Sequence, residues 1–324
     1  MSEEEGSAAT PAEAPAVSVV IPCYNQGRYL RDAVESVLCQ TYPHVEAIVV
    51  NDGSTDETAV VAAAFGDRIR VVTQENAGLA AARNAGIRAS SAPYVMVLDA
   101  DDTIDPDCVE QRVRFFLEDP SVGIVAGGFR LVDEHLNPYP DDQQRWRTPK
   151  VGSPSLYIRE AWSPTCGLLL SRRALEVCGM FDPFLRACED WDMQMRVTRR
   201  FRHVYEPAMR ANYRQLPGSM SRDHLVMVDS LLQVLRKNRA YASNDFRYRI
   251  DAFAGWFNQV AGSVFGNILK ETRGVGKARA FGRLLVKRPC VAPLFVVWAV
   301  RYVWNRVLWV FGTGPLRVRE VRHG

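Results

Sequence analysis

The sequence has no CxxC pair and no HxxxH or HxH spacing, and its seven cysteines lie scattered at 23, 39, 108, 166, 178, 188 and 290. These absences exclude a zinc site and a disulfide framework and leave reduced thiols as the expectation. Also missing is an uninterrupted apolar run of about 18 residues, the length that a spanning helix needs. The nearest approach, Val291 to Val300, is followed by Arg301 and Arg306. Residues 1–16 are acidic, small and polar, without the basic start and apolar core of a signal peptide. They read as a disordered tail on a protein that is cytoplasmic and not secreted. No repeat is evident. The chain has little net charge, 40 Lys+Arg against 37 Asp+Glu, and 47% hydrophobic residues over 324 positions. That composition excludes wholesale disorder and fibrous architectures.

What is present is an alternation of short apolar runs and helical periods. Val17 to Ile21, Val45 to Val50, Ile69 to Thr73, Tyr94 to Leu98, Val122 to Ala126 and Cys166 to Leu170 read as buried strands. Leu30, Val34, Val37 and Leu38 recur at helical spacing, and Thr55-Asp56 suits the cap of a helix running to Phe65. Leu79 to Ala89 is an Ala-rich helix, and Pro106 suits the first turn of another that ends near Leu117. Arg172 to Cys178 is a short helix ended by Gly179, Ala187 to Arg200 holds a further helix, and His203 to Tyr205 reads as a strand. Residues 133–163 read as a long loop near the site. This order implies βαβ units, hence an α/β fold with a mainly parallel central sheet flanked by helices over 17–225. A helical C-terminal region follows over 226–324.

In such sheets ligands bind beyond the carboxyl ends of the strands. The polar clusters fall there: Cys23-Tyr24-Asn25 after the first strand, Asn51-Asp52 after the second, Asp99 to Asp102 after the fourth. Converging carboxylates repel one another and need a cation or a proton to coexist. Asp99 and Asp101, two apart on an extended turn, can reach one site, and their hard oxygens suit Mg²⁺ or Mn²⁺. Taken alone, the same residues also describe a solvated turn capping the next helix.

The segments Val17 to Asn25, Val49 to Asp56, Leu98 to Asp102 and Glu189 to Asp192, in this order and at these intervals, resemble the family 2 glycosyltransferases. The resemblance covers about residues 17–225. It implies the GT-A fold, Rossmann-like, and transfer of a sugar from a nucleotide-sugar with inversion at the anomeric carbon. It further implies that Asp99 and Asp101 hold the metal bridging the diphosphate, Asp101 foremost. Asp52 is implied to accept a hydrogen bond from the nucleobase, with Pro22, Tyr24 and Asn25 lining the same pocket. Asp190 is implied as the catalytic base, with Glu189 orienting the acceptor or supporting the local hydrogen-bond network. Asn76 to Asn84 also fits the family pattern, and within it Arg83 either reaches the diphosphate or pairs with a nearby carboxylate. Trp191 packs on a sugar face or in the core, and Asp192 binds acceptor hydroxyls or is a second helix-start acid. Tyr213-Arg214 and the segment 217–221 are implied to fold over the donor, with Arg214 or Ser219 touching the diphosphate.

The charge is unevenly placed. Lys270 to Gly324 holds 12 Lys+Arg against 2 Asp+Glu, interleaved with Trp and Tyr. That pattern suits a peripheral seat on anionic lipid at the inner face of the membrane through residues 283–322, or a homo-oligomer interface. No nucleic-acid module accompanies the charge, so no nucleic acid is expected as partner. The expectation is an inverting, metal-dependent, non-processive glycosyltransferase of cell-surface glycan biosynthesis. Its donor is a UDP-, GDP- or dTDP-linked sugar and its acceptor a glycan or lipid-linked hydroxyl. The several spanning helices and the QxxRW-like signature of polymerising members are missing. Two readings stand beside it. A nucleotidyltransferase would place a Gly-rich, basic loop where Pro22-Cys-Tyr-Asn25 stands. A non-catalytic glycan- or membrane-binding scaffold would have no need of Asp99, Asp101 and Asp190 together.

Overall fold

The structure, a computed structural model, describes residues 14–140, 165–216, 219, 223–238 and 286. Its elements are β1 (Val17–Cys23), α1 (Gly27–Leu38), β2 (Val45–Asp52), α2 (Thr58–Ala63), β3 (Arg70–Gln74), α3 (Leu79–Ala89), β4 (Tyr94–Val97) and β5 (Thr103–Ile104). They continue as α4 (Cys108–Glu118), β6 (Val122–Val132), β7 (Leu168–Ser171), α5 (Arg172–Cys178), α6 (Glu189–Val197), β8 (Arg202–Arg214) and α7 (His224–Asn238). The eight strands form one sheet in the order β3-β2-β1-β4-β7-β6-β8-β5. β1 to β4 pair in parallel, as expected. The sheet is nevertheless mixed, because β7 runs antiparallel to both β4 and β6, and β5 antiparallel to β8.

The near-continuous apolar strands are explained by helices on both faces. Val19, Ile21, Val49 and Met96 face one core with Leu30, Val34, Val113 and Phe116 of α1 and α4. Val20, Ile48, Val50, Val95 and Val97 face the other, with Ile87, Leu175, Met193 and Val197 of α3, α5 and α6. Three expected boundaries move. Asp56, one position before the N-cap Glu57, accepts the Thr58 N–H at Oδ1 at 3.0 Å, and α2 ends at Ala63. Pro106 lies ahead of α4, its carbonyl accepting the Thr41 N–H at 2.7 Å. β8 is far longer than His203 to Tyr205, because Pro207, which has no N–H to give, sits in a register shift where Gly127 faces Glu206 and Gly128 faces Met209.

One buried cation shapes the sheet centre. Arg112 of α4 is fully buried and donates to the carbonyl of Gly167. A Cβ on Gly127 would lie 2.3 Å from its guanidinium, and one on Gly167, at φ +73°, would lie 2.1 Å away. These glycines make room for the guanidinium.

The six described cysteines are free thiols. No helix among the described residues is long and apolar enough to cross a membrane. Of the expected helical region at 226–324, α7 and Val286 are described. The tail at 1–13, most of the loop at 133–163 and, apart from Val286, the stretch at 283–322 expected to meet lipid or a second copy lie outside the described residues.

Candidate active site

The carboxyl ends of β1, β2 and β4 lie on one rim, and a cleft of about 1090 Å³ opens there. Pro22, Tyr24, Asn25, Asp52, Arg83, Asp99, Asp101, Glu189, Asp190, Arg214 and Ser219 all line it. Trp191 and Asp192 do not. Trp191 is 1% exposed and belongs to the core, and Asp192 is wholly buried. Its Oδ2 accepts from Arg196 Nε at 2.8 Å and Lys237 Nζ at 2.9 Å, and its Oδ1 from Asn238 Nδ2 at 3.1 Å. Asp192 therefore ties α6 to α7.

Asp52 is held by the end of β3 and the loop before α3. Its Oδ1 accepts from Gln74 Nε2 at 2.7 Å and the Ala77 N–H at 2.9 Å, and its Oδ2 accepts the Gly78 N–H at 3.0 Å. Gly78 takes φ 88° to make this approach. A carboxylate has about four acceptor positions, so one remains open. Asn25 sits at φ 52°, with Oδ1 accepting the Thr55 N–H at 2.8 Å and its own N–H donating to Ser54 Oγ at 3.0 Å. That turn leaves Tyr24 half-exposed on the lip.

Arg83 is the hub. It is 1% exposed, donates through Nη1 to Glu189, and reaches Asp99 Oδ1 at 2.6 Å and Thr165 Oγ1 at 3.0 Å through Nη2. Burial works against its charge, but Asp99 and Glu189 outweigh that and hold the guanidinium above its ordinary value. The sequence left Arg83 between diphosphate ligand and surface ion pair. It forms buried ion pairs and also lines the cleft. Thr165 also donates to Asp99 Oδ2 at 3.1 Å. A lone threonine gave no signal in the sequence; only the fold brings it here.

Arg83 engages Asp99 and Glu189, whereas Asp101 and Asp190 have no ion pair among the described residues. Burial, then the charge of Asp99, pushes Asp101 up to about 6. Asp102, 1% exposed, accepts the Arg214 N–H at 2.9 Å, and burial followed by Asp101 and Asp99 raises it well above the carboxylate range. Asp190 is pushed up to about 7 by burial and by Glu189, against the pull of Arg83. Its Oδ1 accepts the Trp191 N–H at 2.8 Å, leaving Oδ2 free among the described residues. The preceding Cys188 adopts φ 60°, a left-handed conformation costly for a side chain other than glycine, at the entry to α6.

Arg214 is 2% exposed, pairs with Asp32 Oδ2 at 2.9 Å, and stacks over Tyr29 at 4.6 Å. The cleft lining sets six carboxylates (Asp52, Asp99, Asp101, Glu189, Asp190, Asp223) against the guanidiniums of Arg83, Arg186 and Arg214. By formal count three carboxylates are left over, fewer as charges because Asp190 is half protonated at neutral pH, and the remaining excess repels a diphosphate unless a cation enters with it. The donor set fits a divalent ion, since the exposed oxygens are carboxylates. Among the described residues no three His, Cys, Asp or Glu side chains gather to hold a metal alone. An ion that keeps phosphate and water ligands has no need of three.

Residues 18–178 match the family model described as glycosyl transferase family 2. An uncharacterized glycosyltransferase of Rickettsia prowazekii is 34% identical over 191 residues, 57% of this chain and 59% of the relative. Glycosyltransferase GlyA of Streptococcus pneumoniae is 43% identical over 105 residues, 32% of this chain and 15% of the relative. The chain thus spans 59% of the Rickettsia protein's length and less of the streptococcal one. Among solved structures, the mannosyltransferase PcManGT of Pyrobaculum calidifontis, in complex with GDP-Man and Mn²⁺, matches with a TM-score of 0.60 at 18% identity over 91% of this chain and 88% of that one. S. aureus TarS in complex with UDP-GlcNAc matches with a TM-score of 0.56 at 18% identity, over 78% and 80%. At such identity the likeness shows the fold, the GT-A arrangement.

Proposed function

Across residues 18–178 the chain belongs to glycosyl transferase family 2, and on that premise we propose that it transfers a sugar from a nucleotide-diphosphate-sugar to an acceptor hydroxyl, with inversion and with the help of a divalent cation. The observation that carries this is the convergence of Asp52, Asp101 and Asp190 on one cleft. Asp52, fixed by three donors, offers its remaining acceptor position to an N–H of the nucleobase, with Pro22, Tyr24 and Asn25 beside it. Asp101, with Asp99 next to it, would hold the cation, which would supply charge neutralisation for the departing diphosphate. Mg²⁺ and Mn²⁺ both suit these oxygens, and Mn²⁺ accompanies GDP-Man in PcManGT.

Inverting transfer is a single displacement, so one base must take the acceptor proton opposite the leaving group. Asp190 fits at Oδ2. A carboxyl group raised to about 7 is basic enough to hold the proton and still ionised in half the molecules at neutral pH. Glu189 does not compete for this role, since Arg83 holds it. The buried Asp99–Arg83–Glu189 bridge fixes the separation between the diphosphate end and the base. The basic, aromatic stretch at 283–322 supports an acceptor met at the cytoplasmic face of an anionic membrane, in the making of surface glycans.

The test is a panel of UDP-, GDP- and dTDP-sugars with Mg²⁺ or Mn²⁺, reading thermal shift and nucleotide release. Cation-dependent binding of one nucleotide class, and its release on adding acceptor, is expected. Binding of none would remove the proposal.

A further inference from the structure

The cleft's three guanidiniums are not alike. Arg83 is consumed by Asp99 and Glu189. Arg214 is consumed by Asp32 and by the Glu134 carbonyl at 3.1 Å. Arg186 is exposed, lines the cleft, and has no ion pair or hydrogen bond among the described residues. It stands four positions before Asp190, on the loop between α5 and α6.

That loop is tightly held while what it displays is not. Asp182 Oδ1 accepts the Phe184 N–H at 3.0 Å, the Asp182 carbonyl accepts the Leu185 N–H at 3.2 Å, and Asp182 Oδ2 is tied to Lys237 Nζ at 2.6 Å. Asn84 brackets the upstream end, accepting the Phe181 N–H at 3.0 Å and donating to its carbonyl at 2.7 Å. Arg196 grips the carbonyls of Cys178, Gly179 and Met180. On this scaffold Phe184 is 88% exposed, beside Pro183 and Leu185 of the cleft lining. Side chains presented freely from fixed backbone are what a recognition surface needs, because little order is lost on binding.

We propose that Arg186 and Phe184 form an acceptor subsite that takes an anionic group, phosphate or carboxylate, lying next to an apolar face. This rests on the reading of Asp190 as base, since it places the subsite on the side from which the hydroxyl arrives. The cleft carries an excess of three carboxylates. A neutral acceptor would need no cation there, whereas an anionic one would be repelled without it. A guanidinium pairs with phosphate or carboxylate in two parallel hydrogen bonds. An exposed ring offers its face to an alkyl chain or to the C–H face of a sugar.

The experiment titrates hexyl phosphate, glucuronic acid, hexyl β-glucoside and inorganic phosphate into the full chain at saturating nucleotide diphosphate and Mg²⁺. It is repeated with Arg186→Ala, Arg186→Lys and Phe184→Ala, and the nucleotide diphosphate is titrated separately. Hexyl phosphate or glucuronic acid is expected to bind about ten-fold tighter than hexyl β-glucoside and inorganic phosphate. Arg186→Ala should abolish that preference, Arg186→Lys should keep part of it, and Phe184→Ala should lose about three-fold. Affinity for the nucleotide diphosphate should stay unchanged. Preference for hexyl phosphate assigns the anion to a lipid-type phosphate, and preference for glucuronic acid to an acidic sugar. Equal binding of charged and neutral probes, or binding of none, overturns the proposal. So does weaker nucleotide binding by Arg186→Ala, which would hand the cation to the donor. Failure of the transferase reading looks different: no nucleotide would bind the parent protein at all.

Discussion

The two sides of the cleft are built differently. On the proposed donor side, side chains are pinned to the backbone of neighbouring turns: Asp52 by the N–H groups of Ala77 and Gly78, Asp56 by those of Gly27 and Thr58, Asn25 by that of Thr55. On the proposed acceptor side, charged side chains tie distant elements together: Arg83 to Glu189, Lys237 to Asp182 and Asp192, Arg196 to three carbonyls at the end of α5 and just after it. A carboxyl group bonded to backbone N–H groups can be replaced by a neutral acceptor at small cost. One within a web of buried charges cannot, because removing one partner strands the others.

That contrast can be broken in order of effect. Asp192→Ala removes the buried acceptor that Arg196, Lys237 and Asn238 share and should cost about 3 kcal/mol of stability in urea melts, with faster hydrogen exchange over 179–188. Asp52→Asn keeps most of its turn bonds and should cost about 1 kcal/mol; equal losses in the two variants would erase the distinction.

Asp190→Asn should lower transfer about 10³-fold while nucleotide affinity stays within two-fold. In the parent enzyme the rate should rise with pH through about 7, since the base must shed its own proton first. A flat profile between pH 5 and 9 would contradict the assignment.

Burial lowers His203 of β8 from 6.5 to about 4. The folded protein keeps this ring neutral, while the unfolded chain takes a proton below its ordinary value. Its contribution is therefore complete above pH 6.5 and about 3 kcal/mol is lost as the pH falls to 4. His203→Gln should flatten that part of the acid stability curve.

Asp101→Ala should weaken cation-dependent nucleotide binding about 100-fold, and EDTA should do the same to the parent protein. Binding that ignores both would locate the ion elsewhere.

The same contrast decides what could be read before any coordinates. Asp52 and Asn25 stand at strand ends, a position that points at them directly, but the groups that hold them lie 22 to 30 positions away and only the fold brings them there. Glu189 and Asp190 were found through their place in a motif, but their division of labour was hidden, because it depends on Arg83 more than a hundred positions away. Asp192 sits at the same helix start and turned out to serve α7. Thr165 and Arg186 belong to no pattern of spacing. β7 was found as a strand, yet its antiparallel direction follows from where the chain returns to the sheet, which periodicity does not encode. β8 was cut short because charges and a proline interrupt its alternation.

The guanidinium of Arg112, lodged where two glycines leave space, has a consequence for substitution. Position 112 lies on α4, 127 on β6 and 167 in the turn before β7, and the three are coupled through one guanidinium. A methyl group at 127 has no home while the long cation is there, and gains one once Arg112 is shortened to methionine. At 167 the backbone twist forbids even that exchange. Gly127→Ala should therefore cost stability on its own and less beside a shortened residue 112.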